Sequence, residues 1–267
     1  MNVKQSDSTI IYDESIKSMN AYKQLRQARM QTAKKPFLAR GITVKRCQEC
    51  LLGQQYCMCE WLKPFACELP FDVILLMHRD EILKPTNTGR LIAESFPRQC
   101  MAFEWSRLEP PAQLLAILAE PQRQCAVVYP ARNDRQAVSF ASQASSLTQT
   151  NTTDEFTQKP TLIFLDGTWR QAARMFNHSE WLRQIPFFAL DEVVVGEYAM
   201  RKASENSRLA TAEAASLVLS ALKATTACAH LQHIFTVFNQ HYAATRACTQ
   251  VLPSSSHSYL ADYDTNI

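Results

Sequence analysis

Five short apolar runs separated by stretches of helical periodicity constrain this chain more than any other feature. FDVILLMH at 71–78, MAFEW at 101–105, CAVVY at 125–129, TLIFLD at 161–166 and FFALDEV at 187–193 have strand length and apolar, β-favouring composition. Helical patterns fall between or after them, at about 111–120, 168–183, 207–223 and 228–248. Strands alternating with helices predict an α/β layered domain with a mainly parallel sheet. With 267 residues the chain can bury one sizeable core and carry shorter segments at each end.

The two ends differ from the middle. Up to Arg46 there are ten Lys and Arg against three acids, a charge of +7, and the remainder carries −4. Residues 14–35 hold Ile16, Met19, Tyr22, Leu25 and Met30 among these bases, which predicts an amphipathic basic helix. Such an arm suits a polyanion such as RNA, or is simply a solvated helix. The expected organisation is a basic helical arm over 1–46, a main domain over 47–250 and a loose tail over 251–267. Within the domain, the Ser- and Thr-rich stretch 142–159 reads as a mobile surface insertion. No apolar segment is long enough for a membrane span, and the first residues lack the pattern of a secretory signal, so a cytoplasmic protein is expected.

Glycine is scarce. Gly41, Gly53, Gly89, Gly167 and Gly196 are too far apart for a GxGxxG turn or a Walker loop, so a nucleotide-like ligand must be held in another way. Cysteine, by contrast, is concentrated. Cys47, Cys50, Cys57 and Cys59 form CxxC, a six-residue loop containing Gly53, and CxC. Four thiolates at this spacing can close a tetrahedral shell around a structural Zn²⁺, with Gly53 easing the turn; ordinary reduced thiols are the alternative. Cys67, Cys100, Cys125, Cys228 and Cys248 read as small core residues, and His230 and His233 as packing or surface histidines.

In LDGTWRQAARM, Leu165 to Met175, an apolar strand runs into Asp166, Gly167, Thr168 and Trp169 and continues as a helix. Ligands of open α/β folds collect at strand carboxyl ends, which is where Asp166 falls. Equally, Asp166 or Thr168 can cap the helix while Trp169 enters the core.

The run Asp166-Gly167-Thr168-Trp169 resembles the D-x-T-W signature of the DTW-domain family. Further segments agree in order: the cysteine cluster, His78 with Glu81, Asn87-Thr88-Gly89-Arg90-Leu91, Tyr129-Pro130, and Thr211-Ala212-Glu213-Ala214. Ala210 departs from the pattern, since many members carry serine there. The match covers roughly 45–225.

The resemblance implies a tRNA-uridine aminocarboxypropyltransferase. Its members use S-adenosylmethionine to modify N3 of a uridine in the tRNA variable loop, expected at nucleotide 47, and release methylthioadenosine. It also implies a SPOUT-like fold. Asp166, Thr168 and Trp169 are then the expected catalytic set, with Asp166 as general base. Tyr129, Pro130, Leu165, Gly167, Leu209, Thr211, Glu213 and Arg90 are expected around the cofactor, and Ala210, Ala212, Ala214 and Ala215 permit close approach or tight helix packing. Trp169 either stacks on a ring of the substrate or anchors its helix. Arg90 either meets a phosphate or carboxylate or pairs with Glu81. The rivals are a SPOUT-type RNA methyltransferase, which would release S-adenosylhomocysteine, and a non-catalytic zinc-containing RNA-binding protein. Oligomeric state is left open.

Overall fold

The computed structural model describes residues 19–33, 41, 43–130, 137–138, 159–190 and 209–263. Its frame is a six-stranded sheet in which every pairing is parallel. The strands are β1 (Asp72–Met77), β2 (Cys100–Glu104), β3 (Arg123–Pro130), β4 (Ala137–Val138), β5 (Lys159–Asp166) and β6 (Phe187–Leu190), in the order β2-β1-β5-β3-β6-β4. Every residue of β1 is buried, because a parallel strand has helices on both of its faces. The two-residue β4 was not legible in the sequence. The polar insertion falls outside the described residues, apart from Lys159, which opens β5.

Alternate residues of the strands feed two cores. On one face Val73, Leu75, Met77, Leu162 and Phe164 pack with α1 (Ala21–Thr32), α2 (Gly89–Ser95), α6 (Thr211–Ala221) and α7 (Thr225–Ala247). On the other, Ile74, Leu76, Val127 and Ile163 pack with α3 (Ala112–Leu118), α4 (Trp169–His178) and α5 (Glu180–Arg183). The helix spacing explains the assignment. In α4 the buried positions Ala172, Met175 and Phe176 recur every three or four residues, as a helix resting on a sheet by one stripe requires. All seven residues of α2 are buried, and no periodic signal in the sequence marked it as a helix.

This arrangement creates a topological switch point. The chain leaving β1 turns to α2 on one face, and the chain leaving the adjacent β5 turns to α4 on the other. Met77 and Asp166 are partners in register at the carboxyl ends of these two strands. The crevice between such diverging connections is where open α/β sheets bind ligands.

Both ends of the described chain are docked. The expected helix over 14–35 is observed as α1, but it is not a free arm: Tyr22 is fully buried and its hydroxyl donates to Ile82 O at 2.9 Å. Part of its positive charge is spent on the domain, in Lys23–Glu49 at 2.7 Å, Arg29–Glu104 at 3.8 Å and an Arg26 bond to Gln48 O at 3.0 Å. The expected loose tail from 251 instead contains α8 (Ser255–Ala261), with His257 and Leu260 buried. His257 Nε2 meets His241 Nε2 at 3.1 Å, and His241 Nδ1 meets Tyr56 O at 3.0 Å, so α8 is tied through α7 to the cysteine loop. Among the described residues no helix is long and apolar enough to cross a membrane.

Candidate functional site

The last residue of β5 holds the crevice together. Asp166 is only 2% exposed; Thr211 Oγ1 donates to its Oδ1 at 2.6 Å, and Asn87 Nδ2 donates to its Oδ2. Asn87 Oδ1 in turn accepts from Arg90 N at 2.9 Å, and the Asp166 carbonyl accepts from His78 N at 2.8 Å. One carboxylate thus fastens the end of β5 to the loop entering α2 and to the first residue of α6. Burial raises the Asp166 pKa from 3.8 to about 6, with the Thr211 and Asn87 hydrogen bonds opposing and nearby Glu81 adding to the rise.

A pKa near 6 suits a general base, but the geometry does not. Both Asp166 oxygens are occupied and enclosed, so a pyrimidine nitrogen cannot reach them in this conformation. In this conformation Asp166 ties the crevice loops together through Asn87 and Thr211.

The neighbouring residues of the motif divide their tasks. Thr168, not Asp166, is the N-cap of α4: its hydroxyl accepts from Gln171 N, and its own N–H donates to Gln171 Oε1 at 2.8 Å, a reciprocal capping box. Trp169 does not anchor the helix in the core. It is 49% exposed and lies nearly parallel to Tyr129, with ring centroids 6.1 Å apart, while Tyr129 stacks on Phe176 at 3.9 Å. An exposed indole backed by two rings forms a platform for a flat ligand.

The other expected cofactor residues are only partly gathered here. Tyr129 and Pro130 end β3, and Leu165 and Gly167 flank Asp166, so these share the sheet's carboxyl edge. Thr211 is at the edge through its bond to Asp166; Leu209 and Ala210 precede it, partly buried against the core. Ala210 caps α6 without a hydroxyl, and Glu213 reaches back to its N–H at 2.8 Å, a helix-capping role for that carboxylate. The alanine stripe is helix packing at Ala212 and Ala215, both buried.

Arg90 does not face the crevice. Its side chain is fully buried; Nη1 pairs with Glu94 at 3.2 Å, Nη2 donates to Cys50 O at 2.7 Å, and the guanidinium lies over the Phe238 ring. The expected cofactor contact and the alternative pair with Glu81 both give way to this arrangement. Glu81 pairs instead with Lys84 at 2.6 Å.

Four cysteines converge as the spacing predicts. The sulfurs of Cys47, Cys50, Cys57 and Cys59 all lie within 4.8 Å of one another, with Cys47–Cys59 and Cys47–Cys57 at 3.6 Å and Cys50–Cys57 at 3.8 Å. Sulfurs about 2.3 Å from a tetrahedral zinc stand about 3.8 Å apart, so the set fits that ion, whereas a disulfide requires about 2 Å. Burial resists ionisation of Cys47, yet the N–H groups of Cys50 and Glu49 and the adjacent thiols bring it down to about 7. Burial pushes Cys50 up to about 11 and drives Cys59 well upward. A divalent cation would supply the charge that keeps all four as thiolates.

The turn in this loop is not eased by Gly53 in the way expected. Leu51 adopts the left-handed conformation, φ 62°, whereas Gly53 sits close against Tyr56 and against Thr245 of α7, 3.0 and 3.2 Å from an added Cβ. Of the remaining cysteines, Cys67 and Cys248 are exposed and so are not core residues. His230, fully buried against Lys63 O at 2.8 Å, and His233, stacked on Tyr259 at 4.0 Å, are packing residues.

Sequence reasoning assigned no role to Asn87, Gly89 or Gln171. The Asn-Thr-Gly-Arg-Leu run was a signal for the first two, and the Thr-x-x-Gln spacing of a capping box was one for Gln171.

These elements lie in one order along the chain, and the model of the DTW domain matches residues 44–243. The chain belongs to the DTW-domain family. The match runs from the cysteine loop into α7, so the cysteine cluster, the Asp166 junction and the exposed Trp169 all fall within the DTW domain. No solved structure matches the chain. The family is associated with tRNA-uridine aminocarboxypropyltransferase-type proteins.

Proposed function

We propose that this DTW-domain protein transfers the 3-amino-3-carboxypropyl group of S-adenosylmethionine to N3 of a uridine in the tRNA variable loop. The observation that carries the reading is the family's signature turn at the β1/β5 switch point, beside an exposed aromatic platform at Trp169. S-adenosylmethionine brings an activated sulfonium leaving group. Uracil N3 loses its proton to water and displaces at the methylene carbon of the methionyl arm; the N–C bond forms, the C–S bond breaks, and methylthioadenosine leaves. With the leaving group already activated, most of the acceleration comes from in-line placement, which a rigid crevice supplies.

In this reading Asp166 holds the three loops of the crevice in register through Asn87 and Thr211. Trp169 supports a flat ring, and the Thr168 cap fixes the start of α4 below it. Tyr129, Pro130, Leu165, Gly167, Leu209 and Thr211 supply the neighbouring edge. The cysteine cluster would hold a structural zinc, and the basic residues of the first segment would add attraction to tRNA. N3 lies on the Watson-Crick edge, so the target base must enter unpaired, as a variable-loop uridine can.

The test is incubation of the protein with S-adenosylmethionine and tRNA. Methylthioadenosine and an aminocarboxypropylated uridine are expected; S-adenosylhomocysteine would make the protein a methyltransferase, and no turnover with retained RNA binding would make it a binding protein.

A further inference from the structure

His78 follows β1 directly, at the crevice, and its ring is held by one stacked neighbour and by hydrogen bonds at Nδ1. It stacks on Trp105 with centroids 5.8 Å apart and planes 23° from parallel, and Trp105 is itself fixed by an Nε1 bond to Ser179 at 2.8 Å. The His78 side chain is 17% exposed.

The hydrogen bonds around the ring define its proton. Gln171 Oε1 accepts from Thr168 N at 2.8 Å, so the capping box fixes the Gln171 amide with its NH₂ turned the other way. That NH₂ lies 3.1 Å from His78 Nδ1, and Asp80 N–H points at the same Nδ1 from 3.2 Å. Facing two N–H donors, Nδ1 must be the bare, accepting nitrogen. Asp80 Oδ2 is 3.6 Å from Nδ1, beyond hydrogen-bonding reach, and takes a Gln171 amide proton at 3.3 Å. The ring proton therefore sits on Nε2. No described residue hydrogen-bonds to Nε2.

This excludes His78 as a base acting through Nε2, because a bare Nε2 would require a proton on Nδ1 facing two donors. It leaves His78 as a donor. The geometry points to His78 as the residue that donates a hydrogen bond, from Nε2–H, to a carbonyl oxygen of the target uracil, with its tautomer set by the Thr168 turn through Gln171. The inference rests on the transferase reading above. When N3 loses its proton, negative charge spreads onto the two flanking carbonyl oxygens, and a fixed donor there stabilises the anion. With Asp166 enclosed, such a donor does by electrostatics what a general base would otherwise do, while the N3 proton passes to water. His78 is then a catalytic residue and Gln171 a positioning residue.

Two measurements on the full-length protein test this. Long-range ¹H–¹⁵N spectra are expected to show the His78 ring with its proton on Nε2, that proton shifting when a uridine-containing RNA stem-loop is added; an Nδ1–H tautomer, or no shift at saturation, overturns the inference. Kinetically, His78→Phe retains a flat ring against Trp105 but no donor, and is expected to lose roughly 100-fold in kcat with tRNA Kd unchanged. His78→Gln, which restores an N–H, should lose less. Replacing the target with 5-fluorouridine, whose N3 ionises more readily, should recover much of the His78→Phe loss, which a purely structural role would not allow. Wild-type turnover by His78→Phe overturns the inference. If the wild-type protein transfers nothing to any RNA, the transferase reading falls, and the spectra alone decide whether His78 engages a uracil.

Discussion

Gly89 and Asp166 approach so closely that position 89 has no room for a side chain. An added Cβ would stand 2.6 Å from both the Cγ and Oδ1 of Asp166, a carboxylate that two hydrogen bonds prevent from swinging away. The glycine is required by its neighbour, since only Gly41 among the described glycines has a positive φ.

Gly89→Ala is therefore expected to cost about 1–3 kcal/mol, the usual range for overpacking a filled site, and to loosen the junction of β5, α2 and α6. Denaturant unfolding of the variant and the parent measures the cost. A variant of unchanged stability would mean that Asp166 has another conformation available.

Asp166→Asn should increase stability at neutral pH. The native carboxyl titrates near 6 against 3.8 in the unfolded chain, so its contribution is fully present below 3.8 and is lost as the pH rises through 6. At about 1.4 kcal/mol per pH unit, the ionised group costs up to about 3 kcal/mol at neutral pH. An asparagine can accept from Asn87 and donate to the Thr211 hydroxyl without that charge. The stability gap between variant and parent should widen between pH 4 and 6; a gap independent of pH would remove burial of the charge as its cause.

The cysteine cluster is tied to α2 through Arg90, whose guanidinium bonds both Cys50 O and Glu94. One zinc per chain is expected, and chelation should lower the melting temperature in proportion to the zinc removed. Arg90→Met leaves Glu94 buried without its cation and should destabilise by about 3–5 kcal/mol. Burial already raises the Glu94 pKa, with Arg90 opposing, so the deficit should shrink as the pH falls and Glu94 takes up a proton. Metal analysis by mass spectrometry and melts across pH check both; a chain that binds no zinc when its thiols are reduced excludes the knuckle.

Trp169→Ala should leave stability within about 1 kcal/mol, because the indole is half exposed. Loss of a stacking surface should weaken ligand binding by about 1–3 kcal/mol, roughly 10- to 100-fold. Titration with S-adenosylmethionine and with tRNA separately, alongside Trp169→Phe, identifies which partner the ring serves. Unaltered affinity for both would reduce Trp169 to a surface residue.

Much of this architecture is readable one segment at a time. The five apolar runs supply the core strands because short β-favouring segments between helical stretches bury well in a parallel sheet, and the cysteine spacing brings four sulfurs within reach of one another. The Thr168 cap was legible as one of two local readings. Less visible were α2, which is too short and too thoroughly buried to show a period, and α8, whose polar sequence conceals its anchorage on His241.

The sequence by itself determined the alternation of strand and helix, the clustering of four cysteines and the family motifs, since each depends on residues close together in the chain. The tertiary structure alone decided what Asp166, Arg90, Trp169 and His78 do. Their partners come from distant elements, 79 residues away in Asn87–Asp166 and 93 in His78–Gln171, and a side chain's charge, exposure and tautomer follow from those partners.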